Sequence, residues 1–194
     1  EGVRVTGYQT LYFDGRDRPC YLQHHNGKRN RFKVRKRRYD SSAACFLEVK
    51  IKTNRGRTEK VRMPIDAIRN ALLPAEKAFL ESTLSGPFRL GLLPSLWTEF
   101  RRATLVHNHR PERVTIDWDL SFRTDVHTER LPHLAAIEVK QARDDRQTPI
   151  RRTLSQWHVR PLRVSKYCLG TTLLHPELKS NRFKPTLREL ASVV

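Results

Sequence analysis

The sequence has few cysteines and no long apolar run. Its 194 residues include 3 Cys, namely Cys20, Cys45 and Cys168, and they form no Cys-x-x-Cys motif. A disulfide framework and a zinc site are therefore not predicted, and a reducing, cytoplasmic compartment is expected. No apolar run reaches the ~18 residues that a membrane-spanning helix needs, and no signal-peptide pattern is present.

Acidic residues are also scarce relative to basic ones. The chain has 20 Asp and Glu against 38 Lys and Arg, which gives a net charge of +18. A domain this basic repels itself unless an anion lies nearby, so nucleic acid, an anionic membrane surface and phosphate-rich compounds are the candidate partners. Neither a repeat nor a low-complexity linker divides the chain, and residues 1–194 are expected to form a single domain.

Apolar periodicity and turn residues predict an α+β protein with antiparallel hairpins. Strands are predicted over Thr10–Asp14, Arg31–Tyr39, Cys45–Thr53, Thr58–Met63, Glu99–His107, Glu112–Leu120 and Ala135–Gln141. Polar turns are predicted over Gln23–Asn30, Asn54–Gly56 and Asn108–Pro111, and a polar loop after Gln141. Helices are predicted from Pro74, near Ile150–Trp157, from about Ser165, and over Pro185–Ala191.

Charges of both signs share one face of several predicted strands. Side chains alternate along a strand, so Arg35 and Arg37 lie opposite Val34, and Glu48 and Lys50 lie opposite Val49. Three other strands repeat the pattern, with Arg113, Thr115, Asp117 and Asp119 together, Glu138 with Lys140, and Arg102 with Thr104.

A solvated outer face would explain any one of these strands. Because arginine dominates one strand and Glu-x-Lys recurs in two others, we favour a second arrangement, in which helices cover the apolar faces. The charged faces then line a closed antiparallel β-barrel, a tunnel with a charged lumen flanked by helices.

A lumen of this kind must be wet and must bind anions, since unpaired charges in a dry interior are very costly. Guanidinium groups match phosphate oxygens, and Lys adds a point charge. Carboxylates among these cations are consistent with a divalent metal, because Mg²⁺ and Mn²⁺ favour carboxylate and phosphate oxygens together. The inferred ligand is a metal-bound chain of phosphates.

The motifs resemble those of a known family. The run HHNGKRNRFKVRKRRYDSSAACFLEVKIKTNRGRTEK, followed by FRRATLVHNHRPERVTIDWDLSFR, AAIEVKQ and SKYCLG, is similar to the bacterial VTC domain. That domain belongs to the triphosphate tunnel metalloenzymes, or CYTH superfamily, and the resemblance covers about Tyr12 to Arg188.

The resemblance implies a β-tunnel that binds ATP, triphosphate or polyphosphate with Mn²⁺ or Mg²⁺. In the VTC branch it implies a polyphosphate polymerase that uses ATP, whereas relatives hydrolyse triphosphates. Matching the motifs position by position implies phosphate contacts from Arg35, Arg37, Lys50, Lys52, Arg102, Arg113, Lys140, Ser165 and Lys166. Lys50, Arg102 and Lys166 are the implied catalytic residues, and Glu138 is the implied metal ligand.

The family usually opens with a strand that carries a Glu-x-x-x-Lys-like or Glu-Arg-Lys pattern ahead of the Tyr-Phe-Asp motif. Only Glu1–Gln9 precedes Leu11–Asp14 here, and that pattern is absent. We therefore expect either a truncated N-terminal element or a tunnel without one wall element. If this element is lost, turnover is in doubt while polyphosphate binding can survive, so a non-catalytic polyphosphate-binding module is kept beside the two enzyme functions.

Several residues keep two interpretations. Glu48 is either a second metal ligand or the partner of a lumen arginine, and Asp117 and Asp119 either join the metal site or pair with Arg113. His24 and His25 are expected to be exposed in a polar turn.

Tyr39 and Trp118 are expected to be packing residues rather than platforms for bases. No nucleic-acid-binding motif appears, so a nucleic-acid partner is not expected. A membrane partner that receives the polyphosphate chain stays open.

Overall fold

The structure is a computed structural model that describes residues 5–84, 91–109, 111–141 and 148–191. Its strands are β1 (Val5–Asp14), β2 (Arg31–Tyr39), β3 (Cys45–Lys52), β4 (Thr58–Ile65), β5 (Leu93–Val106), β6 (Arg113–Arg123), β7 (Thr128–Leu131) and β8 (Ala136–Lys140). Its helices are α1 (Pro19–His25), α2 (Pro74–Thr83), α3 (Pro149–Gln156), α4 (Lys166–Leu174) and α5 (Lys184–Ala191), with a 3₁₀ turn at Asn181–Phe183.

The eight strands form one antiparallel sheet. Its order is β4-β3-β2-β1-β5-β6-β7, and β8 also pairs with β6. The two short strands share one edge of β6, with β8 opposite Arg113–Asp117 and β7 opposite Leu120–Arg123. Strand β1 therefore lies near the centre of the sheet, between β2 on one side and β5 on the other.

The sheet is curled but does not close into a barrel, which corrects the expectation of a closed tunnel. Within the described ranges, β4 pairs only with β3, and no strand bridges β4 to β7 or β8. A flat sheet would separate β3 from β8 by five strand steps, about 24 Å. The charge of Glu138 on β8 nevertheless acts on the pKa of Lys50 on β3. The physical reason for the gap is that β7 and β8 are short strands on one edge of β6, and neither reaches β4.

The outer face of the sheet packs against α2. Leu11, Phe13, Val34, Leu47 and Leu80 are among the residues of this core. Helix α2 begins at Pro74, as the sequence predicts, because proline at the first helical position loses no hydrogen bond. The carboxylate of Glu76 accepts a hydrogen bond from the backbone N–H of Leu73 at 2.8 Å, which caps this helix.

A buried ion pair fastens α2 to the sheet. The side chain of Lys36 on β2 is 0% exposed, and its Nζ lies 2.8 Å from Oε2 of Glu76. The same ammonium donates to the carbonyl oxygens of Arg69 at 3.2 Å and Ala71 at 2.7 Å. Alternation alone placed Lys36 on the apolar face with no partner, so this pair is a feature that the sequence did not predict.

The interior face of the sheet is partly filled by α1 and α4. Tyr12, Leu96, Phe122, Tyr167 and Leu169 belong to this second core. The carboxylate of Asp14 organises it, because it accepts hydrogen bonds from the backbone N–H groups of Cys20 at 2.9 Å and Tyr21 at 3.0 Å. It also accepts a short hydrogen bond from the Tyr167 hydroxyl, which joins α4 to the end of β1.

The predicted strands are all present, with β2 matching its predicted bounds and β1 and β5 extending further toward the N-terminus. The helices at Pro74, near Ile150, after Ser165 and near Pro185 are also present. Helix α1 and strand β7 were not predicted, and α1 occupies the first part of the predicted turn Gln23–Asn30. Residues 1–4, 85–90, 110, 142–147 and 192–194 lie outside the described residues, and with them parts of the predicted turn Asn108–Pro111 and of the polar loop after Gln141.

The three cysteines are free and buried, in agreement with the absence of a predicted disulfide framework. Among the described residues, none of the helices has the length and apolar character that crossing a bilayer requires.

Replacing Glu76 with Gln tests the buried ion pair. We expect the variant to lose about 3–5 kcal/mol of unfolding free energy, because a buried ammonium is left without its carboxylate. The Gln side chain can still accept the Leu73 N–H, so the helix cap is retained. Urea unfolding at pH 7 measures the change, and Glu81→Gln on the exposed side of α2 is the matched control. A loss below about 1 kcal/mol for Glu76→Gln would contradict the assignment.

Candidate phosphate-binding site

Strands β2 and β3 place the densest group of cations on the interior face. Lys33, Arg35 and Arg37 alternate with Val34 and Lys36 along β2, so all three project inward. The register sets Lys33 opposite Lys50 and Arg35 opposite Glu48. Strand β4 continues the same face, with Lys60 opposite Lys50 and Arg62 opposite Glu48.

Glu48 is the first of two carboxylates that hold cations on the interior face. It is 1% exposed, and its Oε2 lies 2.7 Å from both Nε and Nη2 of Arg35. Its other oxygen contacts the ammonium of Lys60. Burial alone would raise the pKa of Glu48, but Arg35 and the hydrogen bond from Lys60 lower it below the usual range. The arrangement favours the ion-pair interpretation of Glu48 over the metal-ligand interpretation.

Asp117 is the second carboxylate and joins β6, β5 and α4. It is 2% exposed, and its two oxygens accept hydrogen bonds from Arg102 at 2.5 and 2.7 Å. The ammonium of Lys166, the first residue of α4, contacts the same carboxylate. Burial would raise the pKa of Asp117, but Arg102 and Lys166 outweigh burial and lower it. The predicted catalytic residues Arg102 and Lys166 are thus brought together by Asp117.

Among the interior cations that have no carboxylate within ion-pair distance in the described part of the chain are Lys33, Arg37 and Lys50. Lys33 donates to the hydroxyl of Ser165 at 2.7 Å, and Arg37 donates to that of Thr10 at 3.0 Å. Lys50 forms no hydrogen bond with a described residue and lies where the interior is open to water. Burial lowers the pKa of all three side chains, and neighbouring cations lower it further. Arg35 acts in this way on Arg37 and on Lys50, and Lys50 acts on Lys33. An anion bound here would relieve this mutual repulsion.

Aromatic rings pack against several cations of the interior face and form the floor of the site. Tyr8 and Phe100 stack at 5.0 Å, and the guanidinium groups of Arg37 and Arg102 lie 5.0–5.8 Å from the two ring centres. The Lys166 ammonium lies 4.7 Å from the Phe100 ring. The negative face of an aromatic ring attracts a cation, so this floor lets like charges approach one another.

Tyr12 brings a hydroxyl group into the same cluster. Its oxygen accepts a hydrogen bond from Arg35 at 3.3 Å, and its ring contacts Tyr167 at 4.9 Å. Burial would raise the pKa of Tyr12, but the charges of Arg35, Arg37 and Lys33 outweigh burial and lower it. Tyr12 therefore orients Arg35 and responds to the positive potential of the site.

The remaining predicted residues lie toward the solvent. Arg113 is opposite Lys140 in the β6–β8 pair, and both side chains are exposed. Glu138 is 56% exposed, with one oxygen 3.5 Å from the Lys140 ammonium. Lys52 is half-buried at the end of β3. Ser165 caps α4 by accepting the backbone N–H of Cys168 at 3.3 Å.

A β-bulge corrects the prediction for Asp119. Its φ is 53°, and the pairing of β5 with β6 shifts between Glu99 and Arg101. The extra residue changes the alternation, so Asp117 points inward while Asp119 is exposed. Simple alternation placed both on one face because it cannot include a bulge.

The positions of His24 and His25 also differ from the prediction. His25 is buried in α1, where its Nε2 accepts the backbone N–H of Arg182 at 3.2 Å. Burial, together with the charges of Lys33 and Arg31, lowers the pKa of His24 to about 3. Neither lies in an exposed turn. Tyr39 packs against the core, with its ring centre 5.0 Å from that of Tyr8, and the Arg101 guanidinium lies 5.6 Å from the centre of the Trp118 ring.

The sequence did not single out Lys33, Lys60 or Tyr12 as site residues. Lys33 could have been found, because it shares its strand face with Arg35 and Arg37. Identifying Lys60 as a site residue requires the register of β3 with β4, and identifying Tyr12 requires the pairing of β1 with β2.

The carboxylates of the interior face differ in whether they are free to bind a divalent ion. In the described part of the chain, no three His, Cys, Asp or Glu side chains group together as a metal site. Glu48 and Asp117 are each occupied by two cations. Glu138 is the carboxylate that remains accessible, and its charge acts on both Lys50 and Arg102.

The chain is similar to one protein family and to several solved structures. A family model for the VTC domain matches residues 4–175. A putative adenylate cyclase from Bacillus halodurans has a similar structure, with a TM-score of 0.53, 14% sequence identity, and coverage of 93% of this chain and 83% of that one. At this identity the likeness shows the fold alone.

A second structural match is a putative adenylyl cyclase from Hippeastrum, described as having a dominant triphosphatase activity. Its TM-score is 0.47 and its identity 15%, with 88% of this chain and 83% of that one covered. No curated protein matches the sequence.

The depressed pKa of Asp117 predicts a pH-dependent contribution to stability. A carboxyl group with a lowered folded-state pKa stabilises the fold above its unfolded value, ~3.9, and the contribution is lost as pH falls through the folded value. Asp117→Asn should therefore be less stable than wild type at pH 7 and should lose less stability between about pH 5 and pH 2.

Urea unfolding at several pH values measures this difference. The exposed Asp125→Asn is the control and should follow wild type. Parallel pH profiles for wild type and Asp117→Asn would show that Arg102 and Lys166 do not depend on this carboxylate.

Proposed function

Because this chain belongs to the VTC domain family, we propose that it is a polyphosphate polymerase, which transfers the terminal phosphoryl group of ATP to the end of a polyphosphate chain. Family membership itself implies the handling of phosphate or triphosphate compounds. The specific reaction, and the interior face as the place where it occurs within a tunnel-like channel, are our proposal.

The observation that carries the proposal is the set of interior cations without carboxylate partners. Lys33, Arg37 and Lys50 share the interior face with Arg35, and burial first, then neighbouring cations, lower their pKa values. A row of phosphates is a suitable counter-charge, because it offers several anionic oxygens to several cations at once. Arg102 and Lys166, fixed by Asp117, extend the row toward α4.

The interior carboxylates favour an acceptor that is already anionic. Glu48 and Asp117 have lowered pKa values, so they are weak bases for removing a proton from water. The terminal phosphate of a polyphosphate chain is largely ionised near neutral pH and needs no such base. Positioning and charge stabilisation by Lys50, Arg102 and Lys166 would then supply the catalysis.

Glu138 is the residue that we assign to a divalent metal, Mn²⁺ or Mg²⁺. Such an ion, when bound, offsets charge on the phosphate oxygens that it contacts. Lys140 and Arg113 lie beside Glu138 and would contact the outer phosphates, and Lys52 would do so from β3.

A non-catalytic polyphosphate-binding module is the second candidate. Strand β1 presents Tyr8, Thr10 and Tyr12 to the interior, and it carries no Asp or Glu between Val5 and Phe13. The family usually carries a Glu-x-x-x-Lys-like or Glu-Arg-Lys pattern on its first strand. The cation row does not depend on that strand for its charges, so phosphate binding can exist without turnover.

Removing one unpaired cation should weaken triphosphate binding. We expect Arg37→Gln and Lys50→Gln each to reduce affinity about 10-fold or more, since a hydrogen bond to a charged group contributes roughly 1.5–3 kcal/mol. Isothermal titration calorimetry with inorganic triphosphate measures this loss. Arg55→Gln, in the exposed turn after β3, is the matched control. Equal affinities for all three variants would place the phosphates elsewhere.

The reaction is tested by incubating the protein with ATP and Mn²⁺ and analysing the phosphate products by gel electrophoresis. Chain growth supports the polymerase. Release of phosphate with no growth identifies a hydrolase, and no reaction despite tight polyphosphate binding identifies the binding module. Glu138→Gln should abolish metal-dependent turnover and leave polyphosphate binding within about 3-fold of wild type. Normal turnover by that variant would show the metal assignment to be wrong.

A further inference from the structure

One exposed stretch of the chain lies outside the interior site and combines cations with apolar side chains. This 149–164 segment consists of α3 and residues 157–164, which connect α3 to α4. Its cations are Arg151, Arg152, Arg160 and Arg163, and it contains no Asp or Glu. All four arginine side chains are exposed, and none of them forms an ion pair with a described residue. The segment is therefore a surface of one charge sign.

Apolar side chains are exposed along the same segment. Trp157 is 76% exposed, Val159 50%, Leu162 43% and Val164 42%. Within α3, Ile150 and Leu154 are only partly covered and line up with Trp157 at a spacing of i, i+4 and i+7. Single exposed apolar residues are common, but several of them within eight residues of one another and interspersed with cations mark an interaction surface.

We propose that the 149–164 segment docks on a membrane surface rich in anionic phospholipid. Arginine side chains attract and bind lipid phosphates, and the attraction grows with the number of cations near the surface. Tryptophan favours the boundary between headgroups and acyl chains, because its ring is apolar and its N–H is polar. Val159, Leu162 and Val164 would enter the same shallow layer, as in other interfacial segments.

The apolar residues favour a bilayer over a soluble polyanion. Polyphosphate would pair with the four arginines but would leave all the exposed apolar side chains in water. A nucleic-acid base could stack on Trp157, yet it would give Val159, Leu162 and Val164 no apolar environment. A bilayer surface offers anionic phosphates and an apolar layer within a few ångströms of each other, and so matches both properties of the segment.

The segment leads directly into the interior site. Residue 164 precedes Ser165, which caps α4, and Lys166, whose ammonium contacts Asp117. Docking would therefore bring the α4 end of the interior face toward the bilayer. The proposal concerns the outer surface and does not require that the interior site perform any particular reaction.

Vesicle binding by the full chain tests the proposal. Sedimentation is measured with vesicles of phosphatidylcholine alone and with vesicles in which a quarter of the lipid is phosphatidylglycerol. We expect at least about 10-fold tighter binding to the anionic vesicles. The test variant carries Arg151→Gln, Arg152→Gln, Arg160→Gln and Arg163→Gln, and should lose at least about 10-fold of that affinity.

A matched control removes the same charge elsewhere. It carries Lys28→Gln, Arg29→Gln, Arg55→Gln and Arg57→Gln, all at exposed positions outside the segment. This control should keep its affinity for anionic vesicles within about 3-fold of wild type. If only the net charge of the protein mattered, the control and the test variant would lose equal affinity. Circular dichroism checks that both variants fold.

Quenching by brominated lipid separates insertion from adsorption. Wild-type fluorescence should be quenched by anionic vesicles with brominated acyl chains, and Trp157→Phe, which keeps Trp97 and Trp118, should lose that quenching. Three results would overturn the proposal: no preference for anionic vesicles, equal losses in the two quadruple variants, or unchanged quenching in Trp157→Phe. Loss of duplex DNA or polyphosphate binding by the test variant, with vesicle binding intact, would assign the segment to a soluble polyanion and also overturn it.

Discussion

The structure depends on keeping many positive charges together on a sheet face that is partly withdrawn from water. Lys33, Arg35 and Arg37 follow one another on a single strand face, so their mutual repulsion must be offset for the sheet to fold. Two buried carboxylates do this, Glu48 with Arg35 and Lys60, and Asp117 with Arg102 and Lys166. The stacked rings of Tyr8 and Phe100 add attraction that carries no charge of its own.

The two carboxylates compensate only part of the positive charge on the interior face. If every interior cation had its own carboxylate, the face would be neutral and would have little affinity for phosphate. Arg35, Arg102 and Lys166 are fixed in place by acids, whereas Lys33, Arg37 and Lys50 are not. The first group supplies orientation and the second supplies unsatisfied charge. A phosphate chain would meet both, which is the electrostatic preorganisation that phosphoryl transfer uses.

Much of this site could be predicted from the sequence, because alternation along a strand is a local property. Alternation placed Arg35, Arg37, Glu48 and Lys50 on one face, and the structure puts them there. It failed where a residue depends on a distant part of the chain. Lys36 lies on the apolar face and is stabilised by Glu76, which is 40 positions away in the sequence. Asp119 leaves the interior because a bulge interrupts the alternation.

Closure of the sheet into a barrel could not be predicted either, because it depends on which distant strands pair with each other. Alternation gives each strand two faces but says nothing of the lengths of β7 and β8 or of their shared place on β6. The curl follows from packing, because α4 and α1 fill one part of the interior face and α2 covers the outer face. A charged interior was therefore predictable, whereas the completeness of its wall was not.

The cations of the interior face and those of the 149–164 segment are balanced in different ways. The interior cations are accompanied by Glu48 and Asp117, because charges withdrawn from water need nearby partners. The 149–164 segment has arginines with no acid at all, because water screens exposed charges until an anionic surface approaches. On these two surfaces, carboxylates accompany the cations that are withdrawn from water and are missing beside the cations that are exposed. The positive charge of the interior face is therefore partly compensated within the fold, whereas that of the 149–164 segment is left to the solvent and to any anionic surface that approaches.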